Sequence, residues 1–185
     1  LSEGKKVILI MGGSQGAKII NESILHILPK LLKTYEIIHL TGGSDYENVV
    51  QEAGREGIKA GHSGYHPYPF LKEDLKHAFA VADLVISRAG ANAISEIAAN
   101  GKPAIVIPIE QSANNHQRLN AFAFSESGAA VVLEQGNLGE NILLEKIEEI
   151  MNSGEMQYEL SERIKKFYTP DAAKNIAQEL IKSAN

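Results

Sequence analysis

The sequence has no cysteine. That excludes disulfides and thiolate metal sites, and it fits a reducing compartment. It also has no basic excess: 18 Lys and Arg stand against 23 Asp and Glu, a net charge of −5. A nucleic-acid-binding domain normally carries a basic face, so that class is disfavoured. Long apolar runs are absent too. The longest, such as AIVIPI (104–109), are far too short to cross a bilayer. There is no signal-peptide pattern, internal repeat or low-complexity segment. The chain opens at Leu1 and reaches a β-forming run within a few residues, so it reads as a piece of a longer protein whose remainder carries part of the function. What is present is ordinary globular composition, 44% hydrophobic and 22% charged over 185 residues, enough for a domain with a full core.

Short apolar runs alternate with longer amphipathic ones. Strands are predicted at 6–11, 36–41, 60–65, 83–87, 103–108 and 129–133, with helices at about 17–33, after TGGSDYENV, at 72–82, from Ala91 to the Asn100-Gly101 stop, and at 114–128. The tail reads as helices at 139–152, 155–167 and 170–183, the last opened by Thr169, Pro170 and Asp171. Continuous rather than alternating apolar character means strands buried on both faces, as in a parallel sheet. The fold expected is α/β, a doubly wound Rossmann-like sheet of about six strands. Ligands in such folds sit beyond the carboxyl ends of the strands at the switch point, between the first and fourth strands in the order 3-2-1-4-5-6.

Both of those strands end in glycine-containing turns. The first runs into GGSQGA (12–17). Gly12, Gly13 and Gly16 allow a tight turn and close approach of amides to an anion, and a helix N-terminus follows. Ser14 and Gln15 add side-chain donors. The alternative is a plain strand-to-helix turn. Two common cofactors fit poorly. In G-x-G-x-x-G the first position is taken by Met11, and the second strand ends His39-Leu40-Thr41-Gly42 without the acid that would hold an adenosine ribose. No Gly-Lys-Ser/Thr follows for a Walker loop.

The second turn lies in SRAGANAISEIAANGKP (87–103). Glu96 falls early in its helix, where a carboxylate either favours the dipole or accepts hydrogen bonds from a ribose diol. Beside a phosphate it would repel, so the acid is assigned to the sugar and the glycine loop to the phosphate, a nucleotide lying across the crevice. Arg88 can pair with phosphate or with a neighbouring acid, and both remain open. In IEQSANNHQRLNA (109–121), Gln117 and Asn120 share a helix face beside His116. Amides suit sugar hydroxyls and an acetamido group, or simply a solvated helix start.

Taken together, GGSQGA (12–17), HLTG (39–42), SRAGA with SEIAANGKP (87–103) and NNHQRLNA (114–121) resemble the C-terminal half of the bacterial peptidoglycan glycosyltransferases of the MurG family, over nearly the whole chain. That resemblance implies one half of a GT-B enzyme that binds UDP-N-acetylglucosamine and transfers the sugar, with inversion, to lipid I. The donor-binding residues it implies are Gly13, Ser14, Gln15 and Gly16 at the diphosphate, Arg88, Gly90, Ala91, Asn92, Ala93, Ile94, Ser95 and Glu96 along the diphosphate, sugar and ribose, and His116, Gln117 and Asn120 at the N-acetylglucosamine. The uracil would lie by Phe70 and Leu71. The acceptor site, the catalytic base and the membrane-facing patch belong to the N-terminal half of such enzymes, which would sit on the cytoplasmic face of the membrane. Residues 1–168 would form the donor domain, and the helix in 169–185 would pack on the other half.

There is no D-x-D motif, so no metal or other cofactor is expected. His62 and His66 are four apart, but Gly64 and Pro67 argue against a helix there, and a metal site is disfavoured. His26 and His77 are expected on helix surfaces. The cluster Tyr65, Tyr68 and Phe70 reads as loop packing, with one ring able to cap a base. Other readings are a glycolipid glucosyltransferase, a UDP-sugar epimerase, a non-catalytic donor-binding subunit, and an NAD-dependent oxidoreductase, the last opposed by Met11.

Overall fold

The computed structural model describes residues 1, 4–12, 18–109 and 116–183. Six parallel strands, β1 (Val7–Met11), β2 (Glu36–Leu40), β3 (Tyr65–Tyr68), β4 (Leu84–Arg88), β5 (Ala104–Ile107) and β6 (Val131–Val132), form one sheet in the order β3-β2-β1-β4-β5-β6. This is the order expected of the doubly wound fold. The helices are α1 (Lys18–Leu31), α2 (Tyr46–Arg55), α3 (Leu75–Val81), α4 (Ala91–Asn100), α5 (His116–Ser127), α6 (Glu140–Asn152), α7 (Gly154–Ile164) and α8 (Ala172–Ser183).

Strand alternation sorts the core into two layers. Ile8, Ile10, Ile37 and Ile86 face α1, α2 and α6, where Ile20, Ile24, Leu28, Val49 and Ile147 meet them. Leu9, Met11, Val85 and Val106 face α3, α4 and α5, through Phe79, Ile97 and Phe124. Every residue of β1, β2, β4 and β5 is buried, which is why these strands read as mostly apolar runs without alternation. Asp83 locks the start of the central pair: its carboxylate accepts from Val7 N at 2.8 Å, and its own amide donates to Val7 O at 2.8 Å.

The third strand lies at 65–68, not at 60–65. Residues 61 to 64 turn through three left-handed sites on either side of His62, Gly61 at φ 74°, Ser63 at φ 56° and Gly64 at φ 84°. The strand proper contains Pro67, which an edge strand tolerates because it is bonded on one side only. His66 in this strand faces Glu36, with Nε2 at 2.8 Å from Oε2, so it partners a buried carboxylate and is no ligand paired with His62. Tyr65 is fully buried core rather than loop packing. His26 and His77 are exposed, as expected.

Helix ends follow the glycine signals. Gly101 ends α4 in the left-handed region at φ 57°, its amide donating to Ala98 O. The third helix covers only Leu75–Val81, and α7 gives way at Lys165 to a short 3-10 turn through Phe167. The last helix opens at Ala172 rather than Pro170, because Thr169 to Ala172 first close a turn, Ala172 N donating to Thr169 O. Among the described residues no helix is long and apolar enough to cross a membrane.

Candidate functional site

The sheet order puts the carboxyl ends of β1 and β4 side by side, with Met11 opposite Ser87. Beyond them opens a cavity of about 660 Å³. Its walls are Met11 and Gly12 from β1, Leu40 from β2, Pro69, Phe70, Leu71 and Leu75 from the β3–α3 connection, Arg88, Gly90, Ala91, Asn92, Ala93 and Glu96 from β4 and α4, Ile109 after β5, and Gln117 from α5. A second cavity of about 650 Å³ lies on the helical flank between α1 and α2, walled by charged side chains such as Lys18, Glu22 and Glu52. Position separates the two: only the first lies at the switch point, where the fold concentrates its helix starts.

Gly90 caps α4 with extended backbone and no side-chain bond. The first amides of α4 have no carbonyl partner within the helix, so they and the dipole face the cavity that Ala91, Asn92 and Ala93 line. Further along α4, Glu96 lines the same cavity half-buried, with no hydrogen-bond or ion-pair partner for its carboxylate among the described residues. Burial raises its pKa above the ordinary glutamate value.

Arg88 is 8% exposed. Its Nη1 donates to Gln135 Oε1 at 2.9 Å and, more weakly, to the carbonyls of Ile107 and Pro108 at 3.4 Å. Its Nε is buried without a hydrogen-bond partner among the described residues, as is Ser87 Oγ beside it. No carboxylate pairs with it among the described residues, so the neighbouring-acid alternative for Arg88 finds none. Burial lowers its pKa from the arginine value. A buried cation without a counter-charge is costly in an empty cavity and favourable once an anion enters.

The predicted residues divide. Leu71, Arg88, Gly90, Ala91, Asn92, Ala93, Glu96 and Gln117 come together on the cavity, with Phe70 on its rim beneath Lys72 Nζ at 5.8 Å. Ile94 packs instead into the core layer of α3, α4 and α5, and Ser95 Oγ donates back to Ala91 O on an exposed face. His116 is exposed at the start of α5 and off the cavity wall. Asn120 also lies off the wall, its Nδ2 donating to Ala89 O at 3.0 Å, which ties α5 to the turn before α4. Gln117 Oε1 accepts from Ile109 N at 3.2 Å. Gly13, Ser14, Gln15 and Gly16 lie outside the described residues. Gln135 escaped sequence reasoning, since a pairing across 47 residues leaves no spacing to read. The apolar wall of Met11, Leu40 and Leu75 escaped it too, since each looks like ordinary core. No group of three or more His, Asp or Glu able to hold a metal occurs among the described residues.

The chain matches the glycosyltransferase family 28 C-terminal domain over residues 7–176. It belongs to glycosyltransferase family 28. Two curated members of this lineage, both named UDP-N-acetylglucosamine--N-acetylmuramyl-(pentapeptide) pyrophosphoryl-undecaprenol N-acetylglucosamine transferase, are similar along nearly all of it. The one from Finegoldia magna is 37% identical over 182 residues, 97% of this chain and 48% of the relative. The one from Halothermothrix orenii is 40% identical over 173 residues, 92% of this chain and 46% of the relative. Among solved structures, Acinetobacter baumannii MurG superposes with a TM-score of 0.82 at 26% identity, covering 98% of this chain and 51% of MurG. A UDP-GlcNAc 2-epimerase from Neisseria meningitidis shares the fold, with a TM-score of 0.68 at 17% identity and cover of 98% and 45%. This family 28 chain therefore spans about half the length of the curated relatives it matches and has the fold of the C-terminal GT-B half.

Proposed function

We propose that this chain binds UDP-N-acetylglucosamine as the donor half of a transferase that passes N-acetylglucosamine to the undecaprenol-linked acceptor, lipid I, named by its relatives. The observation that carries this is the opposition in one cavity of two charges that have no counter-charge among the described residues: the Glu96 carboxylate, and the buried Arg88 guanidinium close to the open start of α4. An acid that cannot face phosphate suits the ribose hydroxyls. A cation and a helix N-terminus suit the diphosphate. The apolar rim of Pro69, Phe70 and Leu71 suits the flat uracil. Gln117 is the amide best placed for the sugar.

In the proposed reaction an acceptor hydroxyl attacks the anomeric carbon. The bond from that carbon to the diphosphate oxygen breaks, and UDP departs with the electron pair. The hydroxyl proton passes to a base outside this chain. Charge gathering on the leaving diphosphate is met by the α4 amides and Arg88, groups already oriented before the reaction. The relatives are twice as long, so the acceptor site and any membrane contact are assigned to the rest of the protein, on the cytoplasmic face. Residues 169–185 are assigned a bridging role. Ile176, Leu180 and Ile181 are more than 60% exposed along α8.

Calorimetry on this chain tests the donor assignment. UDP-N-acetylglucosamine is expected to bind with or without EDTA, more tightly than UDP-glucose, with no binding of NADH. A folded sample that binds no uridine nucleotide refutes it.

A further inference from the structure

Three buried polar side chains between the sheet and α1 stand outside the cavity. His39 in β2 is fully buried, Asn21 in the first turn of α1 is 1% exposed, and Tyr65 in β3 is fully buried. Their neighbours in this layer, Ile20, Ile24, Ile37 and Val49, are aliphatic. Tyr65 Oη lies 3.0 Å from His39 Nδ1, and His39 Nε2 lies 3.0 Å from Asn21 Oδ1. Asn21 Nδ2 then donates to Thr41 O at 3.0 Å and to Asp45 Oδ2 at 2.7 Å.

Donor and acceptor bookkeeping leaves one arrangement. Both Asn21 amide hydrogens go to groups that only accept, a carbonyl and a carboxylate, so the amide cannot be flipped. Asn21 Oδ1 must then accept, and His39 Nε2 must carry the hydrogen. With Nε2 protonated, a neutral ring has only its Nδ1 lone pair left for Tyr65, so the phenol donates. Burial supports each state: it holds the imidazole neutral and raises the Tyr65 phenol, which stays protonated. Asp45 adds a second sign. It is the N-cap residue of α2, yet its side chain makes no cap bond. Its carboxylate turns to Asn21 instead.

We propose that Tyr65, His39 and Asn21 form a one-way hydrogen-bond relay, His39 fixed as the Nε2–H tautomer, that positions the end of β2 at Thr41 and, through it, the Gly12–Leu40 wall of the cavity, where the phosphates of the ligand enter. Asn21 is a positioning residue in this scheme and His39 orients it. The relay draws β3, β2, α1 and the start of α2 into one directed chain. Aliphatic side chains at 21 and 39 would fill the same space but set no direction. The β2 end is also tied to the β1 end, Gly12 N donating to Leu40 O at 3.3 Å. A shift at Asn21 therefore reaches the cavity wall at Gly12 and Leu40.

The positioning role rests on the donor-binding reading; the tautomer does not, and the two are measured separately. Long-range nitrogen–proton correlation spectra of the unmodified chain at pH 7 should show His39 protonated at Nε2 and bare at Nδ1. The opposite tautomer, or fast exchange between the two, overturns the relay without any variant. Calorimetry then compares UDP with uridine in the unmodified chain and in Asn21→Leu. UDP is expected to weaken roughly tenfold while uridine is unchanged, the loss of one aligned charged contact at the phosphates. Equal weakening of both, or of neither, overturns the positioning role. If the unmodified chain binds neither, the donor reading itself has failed, while the tautomer result stands. Tyr65→Phe serves as a second variant. It removes only the far hydroxyl and is expected to keep Nε2 protonated, and loss of that signature overturns the assigned direction.

Discussion

Arg88 and Gln135, 47 positions apart in the chain, meet at 2.9 Å where the loop after β6 folds back on the end of β4. Gln135 supplies the shortest bond to a guanidinium whose Nε has no partner among the described residues. Replacing Arg88 with leucine keeps the bulk and removes the charge. UDP affinity should then fall between roughly tenfold and a hundredfold, the range for a charged hydrogen bond, while the fold is kept. Gln135→Ala should cost about 1 kcal/mol of stability through the lost bond. Calorimetry and urea unfolding read the two effects, and unchanged UDP binding in Arg88→Leu removes the cation from the phosphate site.

Glu96 predicts a conflict between binding and stability. Its pKa is raised by burial, so the folded state takes up its proton more readily than the unfolded chain. The contribution to stability is therefore fully present below the ordinary glutamate pKa and is lost as pH rises through the raised value. At neutral pH the ionised carboxylate is a burden on the fold. Glu96→Gln should hold or raise the melting temperature at pH 7 while weakening UDP, and it should leave pyrophosphate binding unchanged because the acid is assigned to ribose. UDP binding to the unmodified chain should also weaken on acidification at a higher pH than an exposed glutamate would give. A variant that binds UDP like the unmodified chain takes Glu96 out of the site.

Much of this architecture was legible because burial leaves a mark on sequence. The four strands inside the sheet are buried on both faces and are mostly aliphatic, β1 and β5 without a break, and the helix after β4 stops at a glycine in the left-handed region. The edge was less legible. β3 carries Pro67, which a strand bonded on one side accepts, and its true start was masked by the turns at 61–64. The α4 side of the cavity could be named because its residues are consecutive in the chain. Asn120 and Ile94 looked equivalent to their neighbours, yet folding directs one to Ala89 O and the other into the core. The Tyr65, His39 and Asn21 relay lay beyond sequence reading for a similar reason: three polar residues on three elements share no spacing.

His39 should shape the acid limb of stability. Burial lowers its pKa to about 3 against an ordinary value of 6.5. The unfolded chain binds the extra proton between those values and the folded chain does not. Stability from this group is thus complete above about pH 6.5 and falls as pH drops toward 3. The loss is about 1.4 kcal/mol per pH unit within that window, hence about 2 kcal/mol by pH 5. His39→Gln should be less stable at pH 7 and should lose less between pH 7 and pH 5. Urea unfolding at the two pH values measures both, and an equal loss in the two proteins assigns the acid limb to other groups.

The α8 stripe can be tested by making one change in two proteins. Ile176, Leu180 and Ile181 are exposed in this chain, at 62%, 64% and 64%. Helix-surface substitutions of that kind move stability by about 0.5 kcal/mol or less, a shift of about 2 °C at most for a domain of this size. Leu180→Asp in the 185-residue chain should therefore leave the melting temperature nearly unchanged and reduce any self-association measured by light scattering. In the full-length protein the same change should be severe if residues 169–185 bridge to the other half. A charge would then replace a buried leucine, at a cost of about 2 kcal/mol or more. The difference between the two melting shifts isolates the covering of α8 from its intrinsic helicity, which is common to both. A full-length protein as indifferent to Leu180→Asp as the shorter chain would place α8 in solvent and end the bridging assignment.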